Sequence, residues 1–108
     1  MSRPLLVLTT VGATFDATPL ARTLVEQRLC ACVNVVPAVT SIYRWEGAVM
    51  EDGEQLLVIK TVDERLDALR DALFAMHPYD LPEFVVVAID SIADAYRRWL
   101  EDACSTSP

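Results

Sequence analysis

The sequence predicts an α+β domain with the element order β-α-β-β-α-β, an extra helix at the C-terminal end and a long central β-hairpin. Three observations predict it. PLLVLTT (4–10) and FVVVAID (84–90) are apolar, β-branched runs of strand length. TPLARTLVEQRL (18–29) and the stretch after Thr61 place apolar residues at helical spacing. Between them, segment 32–62 is rich in Val, Ile and Thr and is interrupted at Glu46–Gly47, the mark of two strands joined by a turn.

The first run reads as a strand buried on both faces. Thr18 and Pro19 open the first helix, because proline fits a first turn whose N–H has no partner; a start nearer Thr14 is the alternative. Leu20, Leu24, Val25 and Leu29 form its apolar face, with Arg22, Glu26 and Arg28 turned away. The next strand runs from Cys32 to about Trp45. Pro37 lies within it and cannot donate to a ladder, so the strand is an edge or is bulged there. The chain returns through Ala48–Met50 and EQLLVIKTV (54–62), with Glu51–Gly53 either a break or an exposed part of the same strand.

A second helix is expected from Asp63 to about Met76, opened by a Thr61-x-x-Glu64 capping box and buried along Leu66, Leu69, Leu73 and Met76. Pro78 and Pro82 end it. After the last strand, Ser91 and Asp94 suggest a cap for IADAYRRWLEDA (92–103), with Ile92, Tyr96, Trp99 and Leu100 on one side. CSTSP (104–108) reads as a frayed tail. This order is the split βαβ, ferredoxin-like plan, with both helices on one face of an antiparallel sheet. Residues 1–108 form a single domain, with no repeat and no linker.

Composition narrows the function. Nine Lys and Arg against sixteen Asp and Glu give a net charge of −7, too little basic surface for a nucleic-acid partner or an anionic membrane. No apolar run approaches the ~20 residues of a membrane span, and the opening MSRPLLVLTTVG reads as a first strand rather than a signal peptide. Three cysteines make no disulfide framework and suit a reducing cytoplasm.

The central hairpin exceeds what the plan requires. Its arms are well beyond the usual strand length of ~5–6 residues, and helices of this size cannot cover them. Its far end carries Ile42, Tyr43, Trp45, Val49 and Met50, which a lone subunit would leave in water. These residues are expected to form an oligomer interface; a loop folded back over the sheet is the alternative.

Candidate chemistry is sparse. Cys30 and Cys32 stand one residue apart, but Cys30 falls at the end of the first helix and a structural zinc site wants four ligands. With only Cys104 and one histidine to add, Cys30 and Cys32 read as core packing. The loop HPYDLPE, stiffened by two prolines, crowds His77, Tyr79, Asp80 and Glu83 together, and imidazole with carboxylates suits Cu(II), Zn or Ni. A rigid connection into the last strand explains the same loop. No Ser-His-Asp arrangement stands out, and TTVGATFD has one glycine and no basic residue to hold a phosphate, so an acylphosphatase-like hydrolase is not expected.

ACVNVVPAVTSIYRWEG, IKT, HPYDLPE and YRRWL, in this order and spacing, resemble the CutA family of divalent-cation-tolerance proteins over nearly the whole chain. The shared positions are Ala31-Cys32-Val33-Asn34, Ser41-Ile42-Tyr43, Trp45, Gly47, Lys60-Thr61, His77-Pro78-Tyr79 and Pro82-Glu83. The resemblance implies a ferredoxin-like subunit in a homotrimer held by its long hairpins. It implies a cytoplasmic protein linked to tolerance of copper and other divalent cations, with no enzymatic activity and no required cofactor. The positions given copper in some bacterial members fall on Thr9, Met76 and His77, and only His77 keeps the family's ligand type. Metal binding is therefore expected to be weak or indirect, with His77 the leading ligand and Met76 a weak second suited to Cu(I). A looser resemblance in architecture to the PII signalling proteins supplies the alternative. In that reading a small ligand sits in inter-subunit clefts, with Lys60, His77, Tyr79 and Glu83 as wall residues.

Overall fold

The computed structural model describes residues 2–106. The elements are β1 (Pro4–Gly12), α1 (Thr18–Glu26), β2 (Cys32–Trp45), β3 (Ala48–Val62), α2 (Leu66–Met76), β4 (Val85–Ala88) and α3 (Asp94–Cys104), with a 3-10 turn at Asp63–Arg65. The strands form one sheet in the order β2-β3-β1-β4, and each neighbouring pair is antiparallel. This is the predicted ferredoxin-like α+β arrangement.

Registers fix which side chains share a face, because paired residues point the same way and neighbours alternate. Leu5, Val7, Thr9 and Val11 of β1 and Leu57, Ile59 and Thr61 of β3 are all nearly inaccessible. Leu20 and Leu24 of α1 and Leu69 and Leu73 of α2 pack on this face to make the main core. The other face carries Leu6, Leu8, Leu56 and Val58, which are only half-buried. β1 is thus not buried on both faces as expected, because α1 and α2 cover one side of the sheet alone.

Proline and turn chemistry explain the hairpin. Val36 pairs with Leu56 and Val39 with Glu54, so Pro37 and Ala38 together face Gln55 in a β-bulge. Ala38 takes a φ of 61°, and β2 is an edge strand, so the amide that Pro37 lacks is not missed. Glu46 and Gly47 have φ of 50° and 81° between the paired Trp45 and Ala48, the two-residue primed turn that matches strand twist. β3 is continuous through Glu51–Gly53, which resolves that alternative in favour of an exposed strand. The registers set Tyr43, Trp45 and Met50 on one face of the hairpin and Ile42 and Val49 on the other. Projection of this hairpin gives the chain its length of 48 Å against 27 and 22 Å across.

Helix ends depart from expectation in instructive ways. Thr18 does not cap α1; its N–H donates to Asp16 Oδ1 at 3.3 Å, and Pro19 lies in the first turn. The helix stops at Glu26 rather than Leu29. Arg28 enters the left-handed region at φ 58°, its N–H donates to Val25 O and that of Leu29 to Leu24 O, both at 3.0 Å. That is a Schellman ending with arginine where glycine is usual. The Thr61–Glu64 capping box does not form, because Thr61 still belongs to β3 and its hydroxyl donates to Leu29 O at 2.8 Å. Asp63 serves instead: its Oδ1 accepts the Arg3 N–H at 2.8 Å and the Glu64 N–H at 3.0 Å.

The C-terminal third is also adjusted. β4 spans only Val85–Ala88, while Phe84 turns into the core margin and meets Phe74 edge-on at 5.8 Å. α3 starts at Asp94 without a side-chain cap, so Ser91 plays no capping part. Leu100 is buried against Ala31, Val62 and Cys104, whereas the Tyr96 and Trp99 rings meet at a tilt, 5.1 Å apart, and stay exposed. Cys104 is helical and 3 % exposed, so the frayed tail expected from Cys104 does not begin there. Residues 107 and 108 lie outside the described residues.

Candidate functional site

β4 pairs with β1 only from Leu5 to Leu8, which leaves the outer edge of β1 open from Thr9 onward. The HPYDLPE loop occupies that place. His77 leaves α2 in an extended conformation after its N–H donates to Leu73 O at 2.8 Å. Its ring then turns under the edge. Nδ1 accepts the Tyr79 N–H at 3.1 Å, and an amide can only donate, so Nδ1 is unprotonated. The neutral ring therefore carries its hydrogen on Nε2, which donates to Thr10 O at 3.0 Å and lies 3.2 Å from Thr9 Oγ1. Burial pushes the His77 pKa below its ordinary value, against the opposing pull of the Thr10 carbonyl and Glu54.

Two residues on, the Tyr79 ring lies 5.0 Å from that of His77, and its hydroxyl donates to Glu54 Oε2 at 2.7 Å. Glu54 is 8 % exposed, a carboxylate taken largely out of water with one strong donor beside it. Burial, and then the Glu54 carboxylate, raise the Tyr79 pKa; the same two causes raise that of Glu83. On the facing hairpin, the Tyr43 hydroxyl donates to Asp52 Oδ2. Loop and hairpin together enclose a groove of about 1110 Å³. Its walls are Tyr43, Trp45, Tyr79 and Leu81 with the carboxylates of Asp52, Glu54, Asp80 and Glu83, and among the described residues no basic side chain lines it.

Of the residues expected to wall a cleft between subunits, Tyr79 and Glu83 line this groove within the subunit, and His77 and Lys60 do not. Lys60 sits opposite Leu6 and Cys32, six positions along β3 from Glu54, or about 20 Å. Its Nζ approaches Tyr96 Oη at 3.3 Å and lies 5.6 Å from that ring's centre. Glu54 and Asp52 went unnoticed in the sequence because EDGEQ reads as solvated charge.

The metal expectation meets poor geometry. The His77 lone pair is held by Tyr79, Thr9 is fully buried and bound to the same ring, and Met76 packs at the core margin. Among the described residues no three His, Cys, Asp or Glu side chains converge to hold an ion. These positions do not fit a resident metal. Cys30 is buried, as packing predicts, Cys32 is half-buried, and Cys104, which the sequence placed in the tail, is buried as well. The hairpin residues are wet: Ile42 is 68 % and Val49 66 % exposed, and Tyr43, Trp45 and Met50 are exposed as well. The valines of β4, read in the sequence as an apolar strand, are exposed too.

Comparison with known proteins agrees with this fold. Residues 5–103 match the family described as CutA1 divalent ion tolerance protein. A divalent-cation tolerance protein CutA of Thermus thermophilus is 46 % identical over 96 residues, covering 89 % of this chain and 93 % of that one. The chloroplastic protein CutA of Arabidopsis thaliana is 43 % identical over 84 residues, covering 78 % of this chain but only 46 % of its own length. Among solved structures, the T. thermophilus divalent cation tolerance protein superposes with a TM-score of 0.89 at 43 % identity over 94 % of this chain and 99 % of that chain. CutA1 from Oryza sativa does so with 0.90 at 38 % identity over 97 % and 96 %. No helix among the described residues is long and apolar enough to cross a membrane. With the motif, the sheet order and the long bulged hairpin all in agreement, the chain belongs to the CutA1 divalent-ion-tolerance family.

Proposed function

We propose that this chain is the subunit of a cytoplasmic, non-catalytic homotrimer acting in divalent-cation tolerance, copper included, without a built metal centre in the subunit. The observation that carries the assembly is the far end of the hairpin. Apolar side chains project from both of its faces, Tyr43, Trp45 and Met50 on one and Ile42 and Val49 on the other, and all are exposed in the single chain. A helix of the same subunit could cover one face at most, so neighbours on both sides are the economical partners. The valines of β4 and the half-buried outer face of the sheet extend the apolar surface available to them.

The absence of a catalytic role rests on the engagement of His77, whose two nitrogens hold the loop in place. The same engagement favours indirect over direct metal contact. Native mass spectrometry tests the assembly, with a trimer expected and a stable monomer opposing it. Calorimetric titration of Cu(II) and Zn(II) into the wild type and His77→Ala tests the metal. Equal, weak binding by both is expected; tight binding lost in the variant would restore His77 as a ligand.

The groove beside the hairpin supports a second reading, a small ligand held between subunits as in PII-like signalling trimers. Its walls of rings and carboxylates suit a small organic cation better than a nucleotide. A thermal-shift screen distinguishes these, because a ligand preferring the native state raises the melting temperature.

A further inference from the structure

The groove between the hairpin and the HPYDLPE loop gathers carboxylates that meet no cation. Ion pairs among the described residues use Asp67, Asp71 and Glu101, so Asp52, Glu54, Asp80 and Glu83 are left without a basic partner. Glu54 bears this worst. It is 8 % exposed, and the one donor to its carboxylate among the described residues is the neutral Tyr79 hydroxyl at 2.7 Å. Glu83, from the loop, lines the same groove; burial, and after it the Glu54 charge, raise its pKa. A cation held between strand and loop would relieve both.

Geometry selects the kind of cation. Two tyrosine–carboxylate pairs stand in line along β3: Tyr43 donates to Asp52 Oδ2, and Tyr79 donates to Glu54 Oε2. Asp52 pairs with Ser41 and Glu54 with Val39, so the two acids share one face of the strand, about 6.6 Å apart at two residues' separation. Each pair offers an ammonium group a negative oxygen beside an electron-rich ring. Trp45 and Leu81, both exposed, add apolar wall to the same groove. Among the described residues no three His, Cys, Asp or Glu side chains converge on a point. The charge is therefore spread along a line, which suits a long organic cation better than a metal ion.

We propose that the groove binds a linear aliphatic diamine with four carbons between its nitrogens, one ammonium held by Asp52 with Tyr43, the other by Glu54 with Tyr79, and the methylenes lying along Trp45 and Leu81. The extended four-carbon chain matches the spacing of two residues on one face of a strand. The assignment rests on the groove being a ligand site, and adds the class of ligand and the two places that grip it.

Calorimetric titration of the native assembled protein compares this diamine with butylamine, tetramethylammonium and Mg²⁺, in the wild type, Asp52→Asn and Glu54→Gln. The diamine should bind at least about tenfold more tightly than butylamine, because its second ammonium adds a charge-assisted contact. Each substitution should bring the diamine down to the level of butylamine. Asp52 is exposed, so its variant keeps the test open even if Glu54→Gln fails to fold. Equal affinity for diamine and butylamine, or diamine binding weakened by Glu54→Gln alone, would overturn the two-point grip and leave the groove a site for a single cation. Mg²⁺ binding as tightly as the diamine would show bare charge at work and overturn the assignment. No saturable binding of any amine, or binding that neither substitution weakens, would overturn the organic-cation reading of the groove as well.

Discussion

His77 Nε2 lies 3.0 Å from the carbonyl oxygen of Thr10, so a side chain rather than a strand closes the outer edge of β1 beyond Leu8. Replacing it frees two backbone groups at once, the Thr10 carbonyl and the Tyr79 amide. His77→Ala is expected to cost about 1–3 kcal/mol of unfolding free energy, read from denaturant melts. His77→Gln, which can still donate to Thr10, should recover part of that loss. An alanine variant as stable as the wild type would deny the ring its role at the edge.

The same ring makes stability depend on pH. Protonation places a hydrogen on Nδ1, where the Tyr79 N–H already points, and burial disfavours the charge. The folded pKa lies below the unfolded value, so the His77 contribution is complete above about pH 6.5 and declines as pH falls through the folded pKa. Glu54 and Tyr79 are the titratable groups beside it, and the Glu54 carboxylate moderates the loss. Glu83 acts with the opposite sign: its raised pKa gives stability below the ordinary carboxylate range that is lost as pH rises through the folded value. Thermal melts from pH 4 to 8 should therefore steepen in Glu83→Gln and flatten in His77→Gln.

Tyr79 and Glu54 form the second joint between loop and sheet, at 2.7 Å. Tyr79→Phe leaves a carboxylate that is 8 % exposed without its donor, at an expected cost of about 1–3 kcal/mol. Adding Glu54→Gln removes the stranded charge and should return part of the stability. Additive losses in this double-mutant cycle would mean that the two side chains do not depend on each other.

Local patterns made most of this architecture legible. The apolar runs, the Glu46–Gly47 turn and the proline in β2 each act within a few residues, and each sits where its chemistry requires. Failures came where a distant partner decided. Thr61 reads as a cap until Leu29, thirty-two residues away, takes its hydroxyl. Cys104 reads as tail until Leu100 and Val62 enclose it. His77 reads as a ligand because composition shows an imidazole and not the amide that occupies its lone pair.

The hairpin gives the clearest separation of fold from assembly. Val49 is 66 % exposed and pairs with Arg44 near the turn, so an aspartate there disturbs little within one subunit. In an assembly that covers this face, the same aspartate becomes a desolvated charge facing apolar surface, which costs several kcal/mol per contact unless it is paired. Val49→Asp is therefore expected to keep the circular dichroism of the wild type while shifting native mass spectra from trimer towards monomer. Met50→Asp, on the opposite face, should act in the same way if both faces are covered. A trimer untouched by either substitution would place the subunit contacts elsewhere, with the exposed valines of β4 the next surface to probe.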